Sequence, residues 1–205
     1  MSNSDTTTLN RIHCAAKKEF YEKGYKTSSL RNIVKNAGMT TGAFYGYYRS
    51  KEELFSALVE PHYNHFLNMF KEAQTEFAKL PPEEQSTNLS KISGACMYDM
   101  LYYAYDHLEE FKLILCCSEG TRFAGLIDEM VDIETTATHD YLNVLKDIGK
   151  PSPEIDASLE HILITGMFGA FFEIIIHEMP LPKANNYLKE MREFYTAGWM
   201  KIMGQ

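Results

Sequence analysis

The sequence predicts an all-α protein of about nine helices. Apolar residues recur at spacings of three and four along most of the chain, and the alternation typical of strands is absent. Glycine and proline fall mostly between these periodic segments, where helices end. The 205 residues are 45% hydrophobic, which is typical of one or two globular domains and excludes a disordered chain. No apolar run of about 18 residues is visible, so we expect neither a membrane-spanning helix nor a membrane partner.

Three short helices are predicted at the N-terminus. They cover residues 7–23, 29–36 and 41–48. Gly24 is the expected stop of the first helix, and Ser28 and Thr40 are the expected N-caps of the second and third. The turn Ala-Gly-Met-Thr supplies a small residue, a glycine for positive φ, an apolar anchor and the cap. These proportions are those of a helix-turn-helix, whose second helix enters the DNA major groove.

Six further helices are predicted in the rest of the chain. The fourth begins at the capping box of Ser50 and Glu53, and Pro61 inside it predicts a kink or break. Pro180 and Pro182 are expected to end the eighth helix. The last five helices are predicted over residues 84–107, 110–118, 122–148, 154–178 and 184–203.

The net charge of −8 conceals a contrast along the chain. Residues 1–51 hold nine Lys or Arg and three acids, a balance of +6, whereas the remaining residues carry −14. Salt screens charges beyond roughly 8–10 Å, so a polyanion responds to local charge more than to the total. The acidic composition therefore does not exclude double-stranded DNA as a partner of the N-terminal segment.

The composition of the predicted third helix would let its backbone approach DNA bases closely. It carries two glycines, each costing a helix about 1 kcal/mol, which is unexpected if it serves packing alone. Phe44 and Tyr48 are expected to pack inward, so that Tyr45 and Tyr47 project toward DNA. The alternative to DNA contact is that this aromatic helix is buried in the core of the protein. From charge and position, the expected phosphate contacts are Lys26, Thr27 and Arg49.

Residues 20–54, FYEKGYKTSSLRNIVKNAGMTTGAFYGYYRSKEEL, resemble the DNA-binding domain of the TetR family of bacterial transcriptional regulators. The sequence departs from the family pattern at Thr41, where lysine is frequent, and at Tyr48, where phenylalanine is frequent. The matching motifs are Phe20-x-x-x-Gly24-Tyr25, Ser28-Ser29-Leu30-Arg31-x-Ile33, Ala37-Gly38-Met39-Thr40, Gly42-x-Phe44-Tyr45-x-Tyr47-Tyr48 and Lys51-x-Glu53-Leu54.

The resemblance implies a transcriptional repressor that binds a pseudo-palindromic operator as a homodimer and is released by a small apolar or aromatic effector. Residues 1–50 would be the helix-turn-helix DNA-binding domain, and residues 51–205 the helical domain for effector binding and dimerisation. Coupling between the two would run through the fourth helix. The implied base contacts are Thr41, Gly42, Ala43 and Tyr47, and the implied phosphate contacts are Ser28, Tyr45 and Lys51.

Aromatic stripes in the predicted fifth and eighth helices admit two interpretations. Such stripes usually form core, but they can also line a pocket for an apolar ligand with a few polar contacts. The resemblance places the effector among the fifth to eighth helices. The candidate pocket residues are Tyr98, Tyr102, Tyr105, His139, Phe168, Phe172 and His177.

The eighth and ninth helices are expected to form the dimer interface. Glycines permit close helix approach, and the last helix carries more apolar positions than a lone terminal helix would bury. The resemblance implies that two such helices from each subunit form a four-helix interface. The candidate interface residues are Gly166, Gly169, Phe194, Trp199 and Met200.

No catalytic motif or phosphate-binding loop is visible, so we expect neither an enzyme nor a cofactor. The four cysteines fit no metal or CxxC spacing, which favours the reducing cytoplasm, although Cys116 and Cys117 leave a redox role open. His62 and His65 leave metal binding with a third ligand open. A helical ligand-binding or scaffold protein without specific DNA binding is the alternative function, and the basic N-terminus argues against it.

Overall fold

A computed structural model describes residues 3–204 and confirms the all-α prediction. Within that range the chain forms nine α-helices, one 3-10 turn at Arg122–Gly125, and no strand. The helices are α1 Asn3–Thr27, α2 Leu30–Asn36, α3 Thr41–Phe44, α4 Lys51–Ala78, α5 Pro82–Asp106, α6 Leu108–Cys117, α7 Leu126–Asp147, α8 Ala157–Ile176 and α9 Leu181–Ile202.

The chain folds into two compact units. Unit 1 contains the residues up to Asn64 together with Glu109–Gly125, and unit 2 contains His65–Leu108 and the residues from Leu126 onward. Unit 1 thus combines the three N-terminal helices with the first half of α4 and most of α6. The division into functional domains at residues 50 and 51 stays a prediction.

Aromatic side chains from distant parts of the sequence form the core of unit 1. The Phe55 ring lies edge-on to Phe20, with 4.9 Å between ring centroids, and 5.2 Å from the ring of Tyr25. Phe123 packs edge-on against Tyr63 at 5.2 Å. Burying one such ring contributes roughly 1.5–3 kcal/mol. The cluster packs α1 against the first half of α4.

α4 continues through Pro61, so the prediction of a break was wrong. Proline removes one backbone N–H, and its ring crowds the carbonyl four residues earlier, which is that of Ala57. Both residues are exposed, so water can hydrogen-bond the freed carbonyl. The neighbouring Leu58, Val59 and Tyr63 are buried, and their packing outweighs the lost hydrogen bond.

Two helix starts differ from the prediction for local reasons. Ser29, not Ser28, caps α2, because its side chain accepts a hydrogen bond from the backbone N–H of Asn32 at 3.4 Å. Pro182 lies in the first turn of α9 instead of ending α8. Proline is tolerated there because the first N–H groups of a helix have no intrahelical acceptor.

α8 is long and apolar enough to cross a membrane by length and composition, although it has no unbroken apolar run of about 18 residues. In this structure the helix contributes to the core of unit 2. Ile164, Phe171 and Ile175 are buried, and Phe168 meets Phe70 edge-on at 5.4 Å. The apolar character of α8 is therefore accounted for in part by packing within the unit.

Candidate nucleic-acid interface and internal cavity

A buried carboxylate sets the position of α2 against α1. Glu19 accepts hydrogen bonds from the backbone N–H of Ser29 at 3.0 Å and from the side chain of Asn32 at 3.3 Å. A carboxylate at a helix N-terminus satisfies free N–H groups and is favoured by the helix dipole. Sequence analysis missed Glu19, although its place three residues after Ala16, on the apolar face of the first helix, was a usable signal.

The turn between α2 and α3 has the predicted geometry. Gly38 adopts a φ of 67°, in the left-handed region that glycine enters at little cost. The Thr40 side chain accepts a hydrogen bond from the backbone N–H of Ala43 at 3.2 Å, which confirms the predicted N-cap of α3. A left-handed glycine therefore follows α2, and a capped N-terminus opens α3.

α3 is a single turn of helix and is shorter than predicted. It ends at Phe44, and Gly46 donates its N–H to the carbonyl of Ala43, three residues back, so the following turn is tighter than an α-helix. The low helix propensity of glycine explains the early end. Phe44 and Tyr48 are buried, as predicted.

Most residues predicted to face DNA lie on the outside of unit 1. Thr41, Gly42 and Ala43 are exposed, and Tyr47 is half-buried. Tyr45 is 54% exposed. The start of α3 is thus exposed, and Tyr45 is mostly exposed although its ring lies 5.7 Å edge-on from that of the buried Phe44.

Tyr48 uses the hydroxyl that a phenylalanine would lack. Its Oη lies 2.5 Å from Nε2 of His13 on α1 in a hydrogen bond. Burial, and then the charge of Lys17, lower the pKa of His13, which favours the neutral imidazole in this pair. The hydrogen bond ties the segment after α3 to α1.

The polar atoms of Lys51 and Ser28 are occupied within unit 1. Lys51 Nζ donates to the carbonyl oxygens of Tyr25 at 2.6 Å and Ser28 at 3.0 Å, and it lies 4.4 Å from the centre of the Tyr25 ring. Burial lowers the pKa of Lys51, and the charge of Glu19 opposes that change. The buried Ser28 donates its hydroxyl to the Tyr25 carbonyl at 2.7 Å. Both side chains therefore stabilise the end of α1.

The other expected phosphate contacts are exposed. Lys26 forms an ion pair with Glu119 at 2.8 Å, and Thr27 donates its hydroxyl to the carbonyl of Lys23. Arg49 is exposed at the end of the turn that follows α3. Six further exposed bases of unit 1 were not singled out as DNA contacts by sequence analysis, and these are Arg11, Lys18, Lys23, Arg31, Lys35 and Arg122.

Unit 2 contains a cavity of about 130 Å³ between α4, α5, α7, α8 and α9. Its wall is mostly apolar. An apolar cavity of about 150 Å³ is large enough to bind benzene, so this cavity suits a ligand with one small ring. The aromatic residues of the wall are Phe70, Phe77, Tyr141, Phe168, Tyr195 and Trp199.

A carboxylate stands in the wall of this cavity. Glu134, on α7, accepts a hydrogen bond from Nε2 of Gln74 at 2.6 Å. Burial, opposed by this hydrogen bond and reinforced by the charge of Glu160, raises the pKa of Glu134 to about 7. In the part of the chain that the structure describes, no basic side chain forms an ion pair with Glu134. Sequence analysis missed it, although it follows the buried Met130 by four residues on an amphipathic helix.

The cavity includes one of the seven pocket residues expected from the sequence, Phe168. Phe172 packs in the core, with its ring 5.8 Å from that of Phe66. Tyr105 donates its hydroxyl to the backbone carbonyl of Met179 at 2.6 Å. Helical spacing places a side chain on a face but does not say which helix covers that face. The remaining four, which lie outside the cavity wall, are Tyr98, Tyr102, His139 and His177.

The expected dimer residues separate into two groups. Trp199 and Met200 line the cavity of unit 2. Gly166 and Phe194 are exposed, Phe194 at 73%, and Gly169 is half-buried. Two exposed apolar residues of α8 had not been singled out, Ile162 at 64% and Leu159 at 46%. We name the exposed residues Leu159, Ile162 and Gly166 of α8 and Phe194 of α9 together the α8–α9 patch.

All four cysteines are free thiols. Burial, followed by the charges of Asp99 and Glu134, raises the pKa of Cys96 to about 12. Burial also raises the pKa of Cys117, whereas Cys116 is exposed. A high pKa keeps a thiol protonated and unreactive, so Cys96 and Cys117 are suited to packing.

The helix-turn-helix segment matches a known family. The family described as bacterial regulatory proteins, tetR family, matches residues 12–58, which span most of α1, α2, α3 and the start of α4. This segment of the chain belongs to the TetR family. Membership in a family of regulatory proteins agrees with the prediction that this TetR-family protein is not an enzyme.

Two proteins of Bacillus subtilis (strain 168) are similar to parts of this TetR-family protein. It is 30% identical over 96 residues to the HTH-type transcriptional regulator YerO, covering 47% of this chain and 31% of YerO. It is 36% identical over 59 residues to the HTH-type transcriptional regulator YdgC, covering 29% of this chain and 30% of YdgC. The chain therefore spans less than a third of the length of either relative.

Two solved structures show the same fold as this TetR-family protein. SCO3833, a member of the TetR transcriptional regulator family from Streptomyces coelicolor A3, has a TM-score of 0.55 at 16% identity, over 90% of this chain and 88% of SCO3833. FadR, the fatty acid degradation regulator of Bacillus halodurans, has a TM-score of 0.51 at 21% identity, over 91% of this chain and 93% of FadR. At these identities the similarity concerns the fold alone.

Removing the Tyr48 hydroxyl measures the hydrogen bond to His13. We expect Tyr48→Phe to lower the free energy of unfolding by about 1 kcal/mol, because the part-buried His13 nitrogen loses its partner. Tyr45→Phe is the matched control and should leave that free energy unchanged, since Tyr45 is exposed. Urea denaturation followed by circular dichroism measures both variants. Equal effects of the two substitutions would contradict a stabilising hydrogen bond at Tyr48.

The raised pKa of Glu134 predicts a stability that depends on pH. The carboxylate ionises near pH 7 in the folded protein and near pH 4.5 when unfolded, so its contribution is present at low pH and is lost as the pH rises between these values. The free energy of unfolding of Glu134→Gln should therefore rise by about 1–3 kcal/mol relative to that of the wild type between about pH 5 and about pH 8.

Thermal and urea unfolding across that pH range measure this difference. Asp132→Asn, an exposed position on the same helix, is the matched control, and we expect its difference from the wild type to stay constant. A Glu134→Gln difference that did not grow with pH would show that Glu134 ionises normally in the folded state.

Proposed function

We propose that this TetR-family protein is a transcriptional repressor that binds a pseudo-palindromic DNA operator as a homodimer and is released by a small-molecule effector. The observation that supports it most is the start of α3, where exposed small residues precede a buried aromatic anchor. The four free thiols agree with action in the reducing cytoplasm.

The start of α3 is small enough to approach base edges in the major groove. A Cβ added to Gly42 would meet no atom within 4 Å, and Gly42 is not among the glycines with positive φ. Neither packing nor backbone conformation within unit 1 therefore requires glycine at this position. We propose that its small size serves contact with DNA, with base contacts from Thr41, Gly42, Ala43 and Tyr47.

Phosphate contacts would come from the exposed residues around α3. We propose Lys26, Thr27, Tyr45 and Arg49, because their side chains are exposed. For Ser28 and Lys51 we propose an indirect role, since their polar atoms hydrogen-bond carbonyl oxygens at the end of α1. Phosphate contacts position a protein on the duplex and weaken with salt, whereas base contacts specify the sequence.

Binding to a defined promoter tests this function. Fluorescence anisotropy with a DNA fragment from upstream of the protein's own gene, and with a shuffled fragment of the same composition, measures affinity and specificity. A clear preference for the promoter fragment at about 150 mM salt supports the proposal. Equal affinity for both fragments would favour a helical ligand-binding or scaffold protein without specific DNA binding.

Replacing Gly42 by alanine separates DNA contact from folding. We expect Gly42→Ala to raise stability by up to about 1 kcal/mol, because alanine is the better helix former and the position is open. The same change should weaken promoter binding about tenfold, because the added methyl group would hold the backbone away from the bases.

Gly125→Ala is the matched control for this substitution. A Cβ there also meets no atom within 4 Å, and the glycine lies in the 3-10 turn of unit 1, outside the helix-turn-helix. We expect it to leave promoter affinity unchanged. If Gly42→Ala bound the promoter as tightly as the wild type, α3 would not approach the bases at this residue.

The α8–α9 patch supports the proposed homodimer. Leu159, Ile162 and Gly166 follow one another at spacings of three and four, which places them on one face of α8. Phe194 on α9 adds a large exposed ring. Exposed apolar side chains that form a contiguous surface are typical of protein interfaces. Two copies related by a two-fold axis would then present two α3 helices to a two-fold operator.

A charge within the patch tests the dimer. We expect Ile162→Asp to weaken self-association at least about tenfold, because a carboxylate would have to be buried against apolar side chains. His161→Asp is the matched control, since His161 is exposed on α8 but points away from the face that carries Ile162. Sedimentation equilibrium measures both. Unchanged self-association of Ile162→Asp would place any dimer interface elsewhere.

A further inference from the structure

We infer that the cavity of unit 2 binds a small aromatic amine as its ammonium ion, with the carboxylate of Glu134 as the counter-charge. The role of such a ligand as effector rests on the proposed function, whereas its binding is a property of the cavity alone. The inference depends on the charges around the cavity, on its aromatic wall, and on one buried hydroxyl.

The charged groups around Glu134 leave its carboxylate without a positive partner. Gln74 donates one hydrogen bond to it, and the neighbouring acid, Glu160, adds to the negative potential. Glu160 is buried, and although its Oε2 lies 2.8 Å from His139, its Oε1 has no hydrogen-bond partner. The thiol of Cys96, also in the wall, is uncharged. A cation in the cavity would therefore lower the electrostatic energy of both carboxylates.

The aromatic wall suits both parts of such a ligand. A cavity of about 130 Å³ accommodates one small ring, which would pack against Phe70, Phe168 and Trp199. The faces of aromatic rings also attract cations, and the attraction is strongest where water is excluded. The same wall therefore favours an aromatic ring with a short cationic substituent over an aliphatic cation.

A buried hydroxyl in the wall lacks the partner that an ammonium group would supply. Tyr141 is 4% exposed, and its Oη has no hydrogen-bond partner. A buried hydroxyl without a partner is costly, and it is usually satisfied by water or a ligand. An ammonium group has three N–H donors and no acceptor, so it complements a carboxylate and a hydroxyl oxygen.

The other charged residue of the wall, Arg192, offers the opposite chemistry, but part of its guanidinium is already engaged. It donates to the backbone carbonyl of Ser90 at 2.8 Å and lies 5.3 Å from the centre of the Tyr98 ring. An anionic ligand would have to use the remaining N–H donors of Arg192, and it would also have to approach the carboxylates of Glu134 and Glu160. The geometry therefore points to a cation, and a carboxylate ligand becomes the competing outcome of the test.

Three probes of nearly the same shape distinguish the charges. Benzylamine, benzyl alcohol and benzoate carry a positive, a neutral and a negative group on one ring. Isothermal titration calorimetry with the full-length protein near pH 7.5 gives their affinities. The chain has one tryptophan, Trp199, and it lies in the cavity wall, so its fluorescence reports whether a probe occupies this site.

We expect benzylamine to bind about tenfold or more tightly than benzyl alcohol, and benzoate to bind most weakly. Glu134→Gln should abolish this preference for benzylamine and leave benzyl alcohol binding unchanged, because the shape of the wall is kept. Asp132→Asn is the matched control and should keep the preference. Unchanged benzyl alcohol binding by Glu134→Gln also shows that this variant is folded.

Three results would overturn the inference: preference for benzoate, equal affinity for benzylamine and benzyl alcohol, or a benzylamine preference that survives Glu134→Gln. Promoter binding measured without any probe reports on the proposed function separately. Failure of benzylamine binding with intact promoter binding would overturn the ligand class alone. Benzylamine binding without any change in promoter affinity would keep the ligand class and exclude this site as the regulatory one.

Discussion

The helix-turn-helix of this TetR-family protein depends on two opposite charges held inside unit 1. Glu19 holds the start of α2 through Ser29, and Lys51 holds the end of α1 through the carbonyls of Tyr25 and Ser28. A buried charge is costly unless it is hydrogen-bonded and compensated. Both conditions are met, because each group has polar partners and the charge of Glu19 favours the ammonium form of Lys51. Removing Lys51 would take its positive charge away from the buried Glu19, and removing Glu19 would take its negative charge away from the half-buried Lys51. The junction of α1 and α2 is therefore fixed by electrostatics as well as by the aromatic cluster.

A fixed junction matters because α3 is too short to be stable alone. A single helical turn forms one or two hydrogen bonds at a large entropic cost, so its shape must come from its neighbours. The buried side chain of Phe44 fixes α3 to the core, and the hydrogen bond between Tyr48 and His13 holds the segment that follows α3. Because these contacts hold α3 in place, its exposed face does not need to pack against other residues. Neither the space around position 42 nor its φ angle requires glycine there. Its small size therefore indicates contact with a molecule outside the protein.

Local signals in the sequence predicted the fold class, the N-cap at Thr40 and the burial of Phe44 and Tyr48, because each depends on residues close together in the chain. The third helix was predicted too long, because its glycines favour helix less than the prediction allowed. The predicted break at Pro61 was wrong, because the surrounding core holds α4 together there. The residues of the cavity wall could not be predicted from the sequence for another reason. Periodicity places Phe168 and Phe172 on neighbouring positions of α8, but only the crossing of five helices decides that one lines a cavity and the other lies in the core.

The carboxylate of Glu134 makes the stability of unit 2 depend on what the cavity holds. At neutral pH the folded protein keeps this group partly protonated, because ionisation near Glu160 and away from bulk water is unfavourable. A bound cation reverses that balance: it favours the ionised carboxylate and stabilises the folded state by mass action. A neutral ring of the same shape would gain only from burial, so the difference between the two is electrostatic and resides in one side chain. Because a ligand shifts a conformational equilibrium only by its differential affinity for two states, a site whose affinity depends on one charge offers a simple means of regulation. Any movement of α7 that changed the distance between Glu134 and the ligand would convert binding into a change of conformation.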